Sequence, residues 1–376
     1  MSDDIYDTIR RHMNAVWPLK LPKHKKILEF LKLMFPTEEE AKIISIFDQP
    51  LLDQKNPQKI AKLTGLDLEK VNETCEKMVE KGVILKSGKK FGLLPIMPGL
   101  FEFYFISGKD ENLVQAAELF HEIIDLGLLN EWYSSDYPFF RTLPSSSLSQ
   151  KIKTVEINED VGAQHEILVF EDVEKYVQLA KSITVVKCAC RTTYALLGET
   201  CEKLMEICMA LNLASNALND YHLGRPISKE EALELLKVAE DNGLVHTIIN
   251  GSGPDTPMLI CNCCSCHCGV LNGLTKLNNP RAFAKSNFRP EIDRSICKRC
   301  ETCLKICPMS AIWHHWPHQA DLSDNFIIIK EERCIGCGLC AHHCQTEAIS
   351  MKRVSNDIPE ETLLGVLTQV EQQKNH

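Results

Sequence analysis

Two stretches near the C-terminus decide how this chain is read: Cys297-x-x-Cys300-x-x-Cys303-x-x-x-Cys307-Pro308 and Cys334-x-x-Cys337-x-x-Cys340-x-x-x-Cys344. They are one pattern written twice, at a constant offset of 37 residues. Soft thiolates at this spacing suit a 4Fe–4S cube, each of whose irons takes one such ligand. The copies also agree beyond their cysteines, because Ala311-Ile312 follows the first as Ala348-Ile349 follows the second. A duplicated half-domain of loop, short helix and strand leaves this trace. Disulfides would demand an oxidising compartment, and structural zinc usually takes paired C-x-x-C knuckles.

On these residues the segment 288–355 resembles the bacterial two-cluster ferredoxins. The resemblance implies two 4Fe–4S clusters with crossed ligation. Cys297, Cys300, Cys303 and Cys344 would hold one, and Cys334, Cys337, Cys340 and Cys307 the other. Gln345 stands where the family has proline, which bears on the turn and its solvent screening. The connection between the copies carries Trp313-His314-His315-Trp316-Pro317-His318, longer than in the most compact ferredoxins. It reads as a partner-facing loop, with metal binding or proton relay by its histidines as the alternative.

A chain of 376 residues is long enough for two or three domains with real cores. No apolar run approaches the roughly 18 residues of a membrane span, and the acidic start lacks a signal-peptide core. A cytoplasmic protein is expected, and its 18 cysteines point to metal rather than cross-links. Oxygen-sensitive cubanes imply an anaerobic source. The net charge is −9, with residues 20–92 at +4 and the remainder at −13. Such an acidic body disfavours nucleic acid and suits docking onto basic patches of redox partners.

The reading for residues 20–100 is a run of short helices and a hairpin. Helices are expected over Glu38–Phe47, Pro57–Leu63 and from Asp67 or Leu68 to about Lys81, with Gly65 and Gly82 as stops. Val83 to Leu94 follows as two strands about a Ser-Gly turn. This order resembles a winged helix. Its third helix carries Glu69, Glu73, Glu76 and Glu80 and no arginine, with Asn72 as the lone candidate base reader. A glutamate-rich face repels phosphates, so the module is expected to serve protein contacts instead. Cys75 on this helix reads as buried packing.

A helix is expected over Leu113–Leu126, then a loop-like aromatic stretch ending at Ser145-Ser146-Ser147, taken as a domain boundary. The middle region, residues 150–280, then reads as a strand over Glu166–Phe170, a helix over Val173–Ala180 and a strand over Ser182–Val186. That second strand ends directly on Cys188 and Cys190, with Cys201 and Cys208 further on. Ser228, with Glu231 three residues on, starts a helical spacer that Asn242-Gly243 ends. Beyond it lie Cys261, Cys263, Cys264, Cys266, His267 and Cys268. Nine clustered cysteines exceed what packing needs and point to at least one further metal centre, iron–sulfur ahead of zinc. Zinc would draw on His267. Which four cysteines ligate stays open, but adjacent Cys263 and Cys264 do not readily serve one cubane, so a second site or a non-cubane cluster enters. Arg191 either neutralises thiolate charge or is an ordinary surface residue.

The expected class is therefore α+β and multidomain: a winged-helix-like module, a mixed helical cysteine-rich middle and a ferredoxin-like dicluster domain. The arrangement resembles the multidomain ferredoxin-type proteins of strict anaerobes. No dinucleotide fingerprint, phosphate loop or nucleophile elbow is present. One-electron transfer is the leading function, as a carrier or a redox-complex subunit. The rivals are an oxidoreductase subunit with an open coordination position, and a redox-sensing winged-helix regulator.

Overall fold

In the computed structural model, which describes residues 3–146, 170–251, 258–315 and 326–374, the chain opens with α1 (Asp3–Met13) and α2 (Lys25–Met34). Tyr6, Ile9 and Met13 recur at helical spacing on α1 and are buried, so the acidic start is an anchored helix. α3 (Glu38–Ser45) begins at a reciprocal cap in which the Thr37 side chain accepts from the Glu40 amide and the Glu40 carboxylate accepts from the Thr37 amide. β1 (Gln54–Lys55), α4 (Pro57–Thr64), α5 (Leu68–Lys81), β2 (Leu85–Ser87) and β3 (Lys90–Gly92) follow. Asn56 caps α4 and Asp67 caps α5, while Gly65 and Gly82 end them in the left-handed region. At Gly82 a Cβ would stand 2.5 Å from the Phe103 carbonyl oxygen, so the stop also needs a residue without one. The expected helices and hairpin are present, and β1 adds a third strand in the order β1-β3-β2.

α6 (Phe101–Ser107) and α7 (Leu113–Asp125) bring Phe101, Phe105 and Phe120 together in one aromatic group. The stretch after them is not all loop. Phe140–Leu143 is a strand, β4, whose four residues are all buried. Phe140 is core rather than connection, which the strand's lack of period-2 alternation concealed.

The middle elements are α8 (Val173–Leu179), β5 (Ile183–Lys187), α9 (Ala189–Leu196), β6 (Glu206–Leu211), α10 (Asn212–Asp220), β7 (Arg225–Pro226), α11 (Lys229–Asp241), β8 (Val245–Ile249), β9 (Leu259–Cys263) and α12 (Gly269–Thr275). Of the expected strand over Glu166–Phe170 only Phe170 lies within the described residues, and it is helical. Ser228 starts α11 as read, its hydroxyl accepting from the Glu231 amide. The sheet runs β4-β8-β9-β6-β5-β7 with every pairing antiparallel. α8 and α11 cover one face through Tyr176, Val177, Ala232 and Leu236, packed on Met209, Ile248 and Ile260. The other face joins the large N-terminal core through Ala210, Val245 and Ile249. The sheet's edge strand β4 thus comes from chain ahead of residue 150. Ser145 and Ser146 are buried, and the Ser145 amide donates to the Cys337 carbonyl.

The C-terminal region holds β10 (Phe288–Ile292), α13 (Thr302–Ile306), β11 (Ile312–His315), β12 (Phe326–Ile329), α14 (Leu339–His342), β13 (Ile349–Arg353) and α15 (Leu363–Gln372). The 37-residue offset carries into the backbone: α13 and α14 start 37 apart, and so do β11 and β13. The repeats exchange strands, β10 pairing with β13 and β11 with β12, both antiparallel. α15 returns to the N-terminal region, where Lys374 reaches the Pro18 carbonyl at 2.9 Å. Among the described residues no helix is long and apolar enough to cross a membrane.

Candidate metal centres

In each C-terminal repeat the cysteine loop turns through two left-handed residues before a one-turn helix. These are Arg299 and Glu301 in the first, Gly336 and Gly338 in the second. Each loop carries its first three cysteines, and the fourth leaves at the helix end. Cys307 shares one hollow with Cys334, Cys337 and Cys340, walled by Ile335 and Leu339. Cys297, Cys303 and Cys344 pack against the cluster of Ile312, Ile327 and Ile349, and Cys300 lies exposed beside Thr302. Gln345 does not alter the turn, since Ser310 and Glu347 adopt the same left-handed backbone at equivalent positions. Burial pushes the Cys337 thiol up to about 12 and Cys303 up to about 11, so metal loading there must displace protons. In the insert, Trp313 is exposed under the Lys330 ammonium and His314 contacts Glu301, while Trp316 to His318 lie outside the described residues.

The nine middle cysteines divide into two groups. β5 delivers Cys188 to the N-cap of α9, with Cys190 in the first turn. On β6 the pair Met209↔Ile260 sets the register with β9, which places Cys208 beside Cys261. Strand alternation puts Cys261 and Cys263 on one side of β9, and Cys268 caps α12. The result is a closed ring of six sulfurs. Cys188 neighbours Cys190 and Cys208, Cys268 neighbours Cys190 and Cys263, and Cys261 neighbours Cys208 and Cys263. Within it Cys208 is held well below the usual thiol range, chiefly by the hydrogen bonds from Cys188 and then Cys261.

The other three cysteines turn the opposite way. Cys264 follows Cys263 directly yet sits in a separate apolar cluster with Ile207, Ala239 and Leu244. Its sulfur is 3.9 Å from that of Cys201, which is 3.6 Å from that of Cys266. Ligand atoms of Cys201, Cys264, Cys266 and His267 all lie within 4.8 Å of one another. The adjacency of Cys263 and Cys264 is therefore resolved by sending the two thiols to different sites. His267, read from sequence only as an aid to zinc, is the fourth donor of the smaller group. Nothing local in the sequence separated the groups.

Arg191 is not a surface residue. It is 1% exposed, donating Nη1 to the Leu204 carbonyl at 2.6 Å and Nη2 to the Asn262 carbonyl at 2.8 Å. Its charge acts on Cys188 and Cys208 of the ring and on Cys264 of the smaller group. Beside the ring, an apolar cavity of about 160 Å³ is lined by Phe101, Phe120, Trp132, Tyr133 and Phe140 and reaches Cys190 and Gly269.

Residues 327–350 match the family model described as a 4Fe-4S binding domain. Pyruvate synthase subunit PorD of Methanothermobacter marburgensis is 33% identical over 81 residues, which are 22% of this chain and 84% of that protein. An uncharacterised ferredoxin of Methanocaldococcus jannaschii is 39% identical over 59 residues, 15% of this chain and 31% of its own length. Hydrogenase-4 component A of Escherichia coli is 32% identical over 92 residues, 24% of this chain and 41% of that protein. The chain thus spans about a third of that ferredoxin and less than half of that hydrogenase component. No solved structure matches the chain significantly.

Proposed function

Because the chain belongs, through its C-terminal residues, to the 4Fe–4S ferredoxin family, we propose that it passes single electrons through two 4Fe–4S clusters and a third iron–sulfur centre held by the six-thiol ring. What carries the reading is the doubled loop-and-helix unit, in which Cys307 of one repeat shares a hollow with Cys334, Cys337 and Cys340 of the other. One cluster falls to those four, and the second to Cys297, Cys300, Cys303 and Cys344. Six thiols in one ring exceed the four donors of a zinc ion and suit a polynuclear cluster. The protein sets each potential through burial, hydrogen bonds and nearby charge.

The names of two relatives, a pyruvate synthase subunit and a hydrogenase component, favour a place in a redox complex over a free carrier. A cytoplasmic, anaerobic setting and partners with basic docking patches complete the reading. In the winged-helix-like module the Tyr221 hydroxyl of the middle region accepts from the Lys86 amide on β2 at 2.6 Å. A wing engaged in this way supports an internal protein module rather than a regulator that binds DNA. The apolar cavity beside Cys190 favours one second reading, an oxidoreductase subunit whose ring centre meets a small apolar substrate.

Anaerobic iron and sulfide counting, with paramagnetic resonance after dithionite reduction, tests the proposal on the full chain. About eight irons are expected from the C-terminal pair, with more from the ring. Cys344→Ala should disturb first the cluster of Cys297, Cys300 and Cys303 and spare the other. Selective loss of the Cys334 cluster would refute the crossed ligation.

A further inference from the structure

We propose that Cys201, Cys264, Cys266 and His267 form a separate mononuclear zinc site that ties together the two loops supplying the six-thiol ring. The proposal deepens the reading of a metal-bearing middle region, but it does not depend on iron in the ring. Zinc binds sulfur at about 2.3 Å in tetrahedral geometry, which sets its sulfurs about 3.8 Å apart. The Cys201 sulfur lies 3.9 Å from Cys264 and 3.6 Å from Cys266. A cubane binds each thiolate to a different iron and spreads its four sulfurs more widely than one ion does. Three of the donors also fall within four consecutive residues, too short a span to reach around a cube.

The fourth donor selects among metals. Three thiolates and an imidazole are a common structural zinc set, whereas cubanes of this kind take four thiolates. His267 Nδ1 is buried and has no hydrogen-bond partner. The Tyr194 ring meets the imidazole edge-on, its centroid 4.3 Å away, and so limits how the ring can turn. Cys201 lies in the loop before β6, which carries Cys208 of the ring. Cys264 to His267 lie between ring members Cys263 and Cys268. One ion here would clamp both loops and hold Cys208, Cys263 and Cys268 in place for the larger centre.

The test uses full-length protein purified anaerobically from zinc-replete cells, with zinc and iron counted and the zinc absorption edge recorded. About one zinc per chain in a shell of three sulfurs and one nitrogen is expected. Cys201→Ser and His267→Ala should each weaken zinc binding at least ~10-fold, since loss of even an outer-shell partner costs that much. Zinc should be lost first in both, any fall in the iron of the ring following it, and the C-terminal pair should keep its iron. Cys188→Ser should do the reverse, lowering iron and sparing zinc. Zinc retained in a protein devoid of iron would support the site while removing the iron–sulfur reading of the ring. A zinc-free protein, or a His267→Ala variant that sheds iron and keeps zinc, would overturn the proposal. Should the variants fail to fold, the wild-type edge still decides, because a shell without sulfur contradicts the site.

Discussion

Arg191 heads the fully buried side chains among the described residues, and its guanidinium stands between the two cysteine groups of the middle region. Its two hydrogen bonds satisfy backbone carbonyls at Leu204 and Asn262, both next to cysteine-bearing segments. Arg191→Leu would orphan both carbonyls, each at about 1–3 kcal/mol, and withdraw positive charge from the thiolates. We expect a clear fall in the denaturant midpoint of the metal-loaded protein, together with loss of iron on gel filtration. An unchanged midpoint and iron content would show the guanidinium to be dispensable. Cys75 provides the contrast. Burial on α5 pushes its thiol up to about 12, so it stays protonated and unreactive. In folded protein treated with a chelator at about pH 8, an alkylating reagent should modify the clustered cysteines and leave Cys75 untouched until denaturant is added. Early labelling of Cys75, read by mass spectrometry of its peptide, would contradict that burial.

At the scale of elements, the two cysteine loops solve one backbone problem with different residues. Arg299 and Gly336 are equivalent and both left-handed, as are Glu301 and Gly338. The second loop packs against the body, where a Cβ on Gly336 would stand 2.2 Å from the Phe288 carbonyl oxygen and one on Gly338 2.8 Å from Ser145 Oγ. The Arg299 side chain is exposed, so the first loop bears only the intrinsic cost of a left-handed L-residue, about 1 kcal/mol. Gly336→Ala should therefore lower the yield of the second cluster, while Arg299→Gly should leave both clusters intact and stability equal or slightly higher. Iron content and thermal midpoints of the two variants check this, and the reverse ranking would defeat it.

The junction of α11 with β8 offers a test by pH. Glu240 is fully buried, with Oε1 3.0 Å from His246 Nε2 and accepting from the Ser146 amide. Burial alone would raise its pKa, but the hydrogen bond and charge of His246 and the Ser146 amide hold it below the usual carboxylate range. Its contribution to stability is thus complete above the unfolded value of about 4.3 and is lost as pH falls through the lower folded value. Glu240→Gln should remove on the order of 2 kcal/mol near neutrality and less as acid protonates the wild-type carboxylate. Unfolding free energies of both proteins between about pH 3 and pH 6 should converge on the acid side. A gap that stays constant would assign the loss to shape instead of charge.

At the scale of the whole molecule, regions that read as separate modules share contacts along their length. The Ser145 amide bonds to the Cys337 carbonyl, Glu171 accepts from the Asn287 amide, and Lys374 reaches Pro18. The His121 ring of α7 contacts Thr193 on α9 at 3.0 Å, next to the cysteine ring. The N-terminal module is thereby committed to internal contacts. On α5 its exposed face presents Glu69, Glu73, Glu76 and Glu80, with Lys77 paired to Glu73 and Lys86 of the wing paired to Glu76. We therefore expect no sequence-specific DNA binding by the full chain. Selection from random duplexes at physiological salt should return no motif, and a reproducible motif would restore the regulator.

The sequence by itself determined whatever a short span can encode. Eight cysteines at repeated spacing mark a pair of equivalent loops, and caps such as Asp67, Ser228 and Gly82 announce the helices they bound, because these interactions reach only a few residues. Only the tertiary structure decided the rest. Cys263 and Cys264 are neighbours in sequence and belong to different sites because β9 ends between them, one thiol facing the ring and the other a separate apolar cluster. Cys208 meets Cys261 through the register of β6 on β9, and Cys201 meets Cys266 from 65 positions away in the chain. Arg191 carries no local mark of burial, yet it sits where three cysteine-bearing segments converge. Ligand sets gathered from distant strands depend on register and packing, which no single stretch of the chain contains.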